Sequence, residues 1–179
     1  HQEEFNSVQT GPDGLSASEQ LRQITAVARS LIEQQYTALN KLFPALGVQG
    51  IRFSTEDLWT PKQQIWIKRF FSRELLPIMS PMALDPAHPF PQVLNKSLAF
   101  MVTLEGKDAF GRSSGKAVVQ APRALPRIVS LPESCATVAH DFVLLSSIIQ
   151  AYVGEFFPGM QVTGCYSFRV TRDSDLLVD

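Results

Sequence analysis

Cysteine is scarce in this chain. Only Cys135 and Cys165 occur among 179 residues, and neither their number nor their spacing offers a disulfide framework or a zinc-ligand pattern. Two reduced thiols are the expectation. Long apolar runs are missing as well: no stretch reaches the roughly 18 residues that a spanning helix needs, so no integral membrane segment is expected. No basic segment with an apolar core and a cleavage site opens the chain. Charge of one sign is absent in bulk. Sixteen Lys and Arg stand against seventeen Asp and Glu, a formal net charge of −1, so any polyanion site has to be a local cluster. Single-stranded nucleic-acid binding, which requires a basic groove with exposed aromatics, is disfavoured on the same ground.

A phosphate-binding glycine loop is also lacking. Gly111-Arg-Ser-Ser-Gly115-Lys116 has three residues between its glycines and Ala117 after the lysine, where a P-loop has four and then Ser or Thr. It reads as a flexible hairpin tip. Asp85 and His88 supply two donors where a metal needs more, so no metal site is expected. Cys135, His140 and Asp141 hold the residue types of a thiol nucleophile and base, but nothing in the sequence orients them or lowers the thiol pKa. That segment is expected to be a surface loop. Pro86-Ala-His-Pro89 fits the loose PxxP pattern, although stiffening an internal crossover is the simpler account.

What is present is a globular composition, 45% hydrophobic and 18% charged, long enough for one good core or two small ones. Ser16 and Glu19 make a capping-box pattern, and Leu21, Ile24, Ala28, Leu31, Gln35, Leu39 and Leu42 then recur at helical steps. The spacing predicts one long amphipathic helix over Ser16 to Phe43. Gly47 and Gly50 punctuate a boundary, and Ile51 to Phe53 reads as a short strand. Thr60, Pro61 and Gln63 signal a second helix, to about Leu76. Strands are expected at Ser97 to Glu105, buried on both faces, at Lys116 to Gln120 and at Arg127 to Leu131. Phe142 to Leu145 leads into a helix from about Ser146 to Phe157. A last strand, Tyr166 to Arg172, is expected to place Tyr166, Phe168 and Val170 inward and Arg169 on the opposite face. The fold class is therefore α+β: N-terminal long helices followed by a mixed β-sheet with packed helices.

Three blocks carry a resemblance. Five prolines between Pro77 and Pro91 stiffen the passage that runs through Asp85-Pro-Ala-His-Pro-Phe-Pro-Gln-Val-Leu-Asn-Lys-Ser-Leu98. That segment, with Ala121-Pro-Arg-Ala-Leu-Pro-Arg-Ile-Val-Ser-Leu-Pro132 and Ser167-Phe-Arg-Val-Thr-Arg-Asp-Ser-Asp-Leu176, closely resembles the large phosphohistidine family of bacterial polyphosphate kinases. The resemblance runs from about Gly11 to Asp179. It implies a fragment: residues 1–48 as the end of an N-terminal helical domain, and residues 49–179 as a head domain incomplete at its C-terminal end. A start at His1 instead of Met fits that reading.

For the parent enzyme the resemblance implies reversible transfer of the terminal phosphate of ATP to polyphosphate, with Mg²⁺, ATP and ADP, through a phosphohistidine. It implies no catalytic residue in this piece, because none of His1, His88 and His140 lies in an H-x-K context. It further implies a homo-oligomer formed through the head domain, a role in the substrate tunnel, and a cytoplasmic location with peripheral membrane association as part of a complex. Arg172, Arg169 and Lys96 are the candidate phosphate contacts, since guanidinium and ammonium groups match phosphate oxygens. Arg123 and Arg127, flanking Ala-Leu-Pro, add local positive charge. Pairing of Arg169 and Arg172 with Asp173 and Asp175 is the competing account. A freestanding dimerisation or adaptor domain without phosphoryl transfer is the alternative function.

Overall fold

Residues 14–84, 90–107 and 115–171 are described by the computed structural model. Contacts divide the chain into two units, one ending at Gln49 and the other beginning at Gly50. In the first unit, α1 spans Ala17–Val48, and the Ser16 hydroxyl accepts from the Glu19 amide at 3.3 Å. The Glu19 carboxylate takes hydrogen bonds from Arg22 and Gln23. The helix does not stop at Phe43 as expected. Pro44 lies inside it; proline's fixed φ is compatible with a helix, although it forfeits an amide bond and crowds the carbonyl four residues back. The stop comes at Gly50, whose φ of 75° turns the chain left-handed. At about 1.5 Å per residue, its 32 residues extend about 48 Å.

The second unit is built on two sheets. The first has the order β1 (Ile51–Ser54), β6 (His140–Leu144), β5 (Ile128–Ser130), with β1 parallel and β5 antiparallel to β6. The second is antiparallel throughout, in the order β2 (Pro81–Ala83), β4 (Lys116–Gln120), β3 (Ala99–Gly106), β7 (Met160–Phe168). Helix α2 (Pro61–Phe70) starts at a full capping box of Thr60 and Gln63 and runs on into a wider π turn, Phe71–Leu75. Gln63, Ile67, Phe71 and Leu75 form its buried face. Stepping by four drifts round an ideal helix, and the wide turn, closed by the Leu76 amide on the Phe71 carbonyl at 2.9 Å, keeps the last two on that face. Helix α3 (Leu145–Tyr152) and a 3₁₀ turn, Val153–Phe156, follow β6.

One core joins both sheets to these helices. Ile67, Phe71 and Leu75 meet Phe100, Val102 and Val119 of the second sheet, Val129 and Val143 of the first, and Leu145, Ile148 and Ile149 of α3. The opposite face of the second sheet holds a smaller cluster, Val93, Ala99 and Val118, against which Met101, Phe168 and Val170 pack. Strand β3 is thus covered on both faces, as its unbroken apolar run predicts.

Three expectations need correction. The last strand begins at Met160, six residues before Tyr166, and ends at Phe168. Tyr166 does not point inward; it is 63% exposed. A Cβ on Gly164 would lie 2.7 Å from the Tyr166 ring, so the ring folds back across the glycine on the outer face. Phe168 is half-buried, so truncating it should cost less than the roughly 3–5 kcal/mol of a fully buried Phe. Finally, the segment around Asp141 is no surface loop. Asp141 lies in β6 and is 1% exposed, and Cys135 is buried as well.

Asp141 is a buried carboxylate with a complete set of donors. Arg52 donates from Nε to Oδ1 at 3.2 Å and from Nη2 to Oδ2 at 2.8 Å. Gln63 Nε2 donates to Oδ2 at 2.9 Å, and Thr137 donates from its amide at 2.9 Å and from its hydroxyl at 3.1 Å. Gln63 spends its other amide atom, Oε1, on the Thr60 N–H at 2.9 Å. Asp141→Ala should lower the unfolding free energy by about 3–5 kcal/mol, because it strands buried donors. Gln63→Glu, harmless in an exposed capping box, should here cost at least about 2 kcal/mol by opposing two buried carboxylates. Chemical denaturation of the variants measures both.

Candidate phosphate-facing corner

The registers of the second sheet bring three chain ends together. Ala99, the first residue of β3, is opposite both Gln120, the last of β4, and Phe168, the last of β7. The segments that enter or leave at this end carry Lys96, Arg123 and Arg169, all three exposed. Backbone hydrogen bonds knit the segments: Lys96 N–H donates to the Val170 carbonyl at 2.8 Å, and Ala121 N–H to the Leu98 carbonyl at 3.0 Å. Arg123 Nη2 donates to the Asn95 carbonyl. Two of the candidate contacts, Lys96 and Arg169, are therefore close along the backbone. Arg172, with Asp173 and Asp175, lies outside the described residues, as do Asp85, His88 and the Gly111–Ser114 tip.

Arg127 goes elsewhere. Its carbonyl accepts from the Leu145 amide, at the first sheet. Arg123 takes part in the corner although the sequence alone gave it no assigned contact; the signal available was its place three residues beyond the apolar strand β4. Among the described residues the ion pairs are Arg22–Glu19, Arg52–Asp141 and Lys68–Glu155. None takes Lys96, Arg123 or Arg169, so among the described residues the corner gathers three cations on a chain near neutrality. Such a corner can bind phosphate oxygens by charge-assisted hydrogen bonds. Among the described residues, the three cations that meet there are neither general bases nor nucleophiles at neutral pH. No group of three or more His, Cys, Asp or Glu among the described residues is placed to hold a metal ion.

A family model described as the polyphosphate kinase middle domain matches residues 62–179. The chain belongs to that family. It is 55% identical over 168 residues to a polyphosphate kinase of Neisseria meningitidis serogroup B, covering 93% of this chain and 24% of the relative. Identity to the polyphosphate kinase of Burkholderia multivorans is 50% over 169 residues, or 94% of this chain and 25% of that one. The crystal structure of polyphosphate kinase from Porphyromonas gingivalis superposes with a TM-score of 0.74 at 28% identity, over 91% of this chain and 26% of the other. The chain thus spans about a quarter of the length of these relatives. Its α+β fold agrees with that structure. Among the described residues no helix is long and apolar enough to cross a membrane.

The cysteines are set apart from this corner chemically. Burial holds the Cys165 thiol protonated, its pKa raised to about 11. Burial also raises the Cys135 pKa, with a further push from the Asp141 carboxylate. The folded chain therefore keeps these protons where the unfolded chain releases them, so their contribution to stability is full below the ordinary thiol pKa. It is lost as pH rises through about 11 for Cys165. Alkylation by iodoacetamide at pH 8.5 should be slow in the folded protein and fast after denaturation, with mass spectrometry counting modified thiols.

Proposed function

We propose that this chain is a noncatalytic portion of an ATP:polyphosphate phosphotransferase, comprising the end of a helical domain and most of the head domain. In the full-length protein the terminal phosphate of ATP passes reversibly to polyphosphate through a phosphohistidine, with Mg²⁺ bound elsewhere. Neither His1, His88 nor His140 is followed two residues on by lysine, so the accepting histidine belongs to a segment outside these 179 residues. The head supports a homo-oligomer and shapes the approach of polyphosphate in a cytoplasmic enzyme. The observation that carries this reading is the convergence of Lys96, Arg123 and Arg169 at one end of one sheet, in a chain whose relatives are named polyphosphate kinase. Arg172, four residues beyond the end of β7 in the sequence, is a further candidate phosphate contact.

Two measurements test it. The isolated chain, incubated with ATP, Mg²⁺ and a polyphosphate primer, should give no elongation on a gel and no acid-labile phosphohistidine; elongation by rigorously pure protein would refute the noncatalytic assignment. In the full-length protein, Arg169→Ala and Arg172→Ala should each weaken primer affinity in a salt-sensitive way without lowering the melting temperature, because charges along a polyanion path act through screened attraction. Lost stability with unchanged kinetics would instead assign these arginines to structural pairs with Asp173 or Asp175.

A further inference from the structure

Lys96 has a φ of 57°, the one positive value outside glycine among the described residues. A left-handed backbone is uncommon for a residue with a Cβ, and glycine would adopt it without strain. Packing does not call for lysine there, since the side chain is exposed. Yet the turn is fastened from several directions. Ser97 sends its amide and its hydroxyl to the Leu94 carbonyl at 3.3 and 2.7 Å, and the Leu94 amide donates to Gln120 Oε1 at 3.3 Å. The peptide unit joining Asn95 to Lys96 is gripped at both poles. Its N–H donates to Val170, just past β7, and its carbonyl accepts from Arg123, just past β4. A peptide is planar, so holding both poles sets its orientation and thereby the direction in which Lys96 leaves the turn. Backbone strain that is overdetermined in this way concentrates where a side chain has to be placed.

We propose that Arg123 is a positioning residue: its hold on the Asn95 carbonyl fixes the strained turn so that the Lys96 ammonium stands at a set point on the polyphosphate path. This rests on the reading that the corner meets phosphate. Lysine occupies the left-handed position for its charge, at the expense of the strain that glycine would relieve.

The test is a double-mutant cycle in the full-length protein, read as the KM for linear polyphosphate beside the melting temperature. Lys96→Met should raise that KM by roughly 3–10-fold, the size of one phosphate contact near the surface. Lys96→Gly should raise it equally while leaving the melting temperature the same or higher. Arg123→Met should raise KM on its own but add little once Lys96→Met is present, because both changes remove the same contact. Should Arg123→Met fail to fold, Arg123→Gln runs the same cycle. Multiplying fold-changes would mean that Arg123 acts independently of Lys96, and the positioning role would fall. A normal KM for the Arg123 variants beside a raised one for Lys96→Met would also overturn it, with the phosphate reading intact. No change with Lys96→Met would remove the phosphate reading of the turn, and this inference with it.

Discussion

The Asp141 carboxylate is the constraint from which the second unit is organised. A buried charge is tolerable only with enough donors, and here they come from β1 through Arg52, from the first turn of α2 through Gln63 and from the 133–139 segment through Thr137. Satisfying one carboxylate therefore sets where α2 starts relative to the first sheet. Once that start is set, Ile67, Phe71 and Leu75 face the core shared with the second sheet. The Thr60 capping box is wired into the same network, because Gln63 caps the helix with one amide atom and serves Asp141 with the other.

The second sheet turns this rigidity toward charge placement. Antiparallel register matches Ala99 with both Gln120 and Phe168, so three segments distant in sequence emerge together. Lys96 and Arg169 stay exposed while backbone bonds and the Arg123 side chain tie the segments together, an arrangement that suits the proposed guiding of a polyanion. The smaller cluster under Val93, Ala99 and Val118 anchors this end of the sheet. Half-buried Phe168 and Val170 alternate with exposed Arg169, so the same strand exit both packs and presents charge.

Local signals in the sequence were legible where the physics is local. Ser16 and Thr60 open helices because their hydroxyls cap amides three residues on, and the unbroken apolar run around Phe100 and Val102 marks a buried strand. Apolar spacing puts the end of α1 at Phe43 because it fades there, whereas the helix runs on through Pro44 and Gly50 is the real stop. Tyr166 misled because Gly164 lets its ring lie back along the strand, an option that apolar alternation does not encode. The Asp141 network was invisible: Arg52 and Gln63 are 89 and 78 positions away, and an Asp beside a His reads as polar loop until its partners are in place. Of the corner, Lys96 and Arg169 were readable as charges beside strands. The brace from Arg123 was not, since it depends on register.

The proposed polyphosphate contact at this corner can be tested directly in a chain of 19.9 kDa. Linear polyphosphate titrated into the ¹⁵N-labelled protein should shift the amides of Lys96, Ser97, Arg169 and Val170 together, with one affinity that weakens as salt is added. Shifts confined to α1 or α2, or none at concentrations where the full-length protein is saturated, would contradict the assignment of this corner to phosphate.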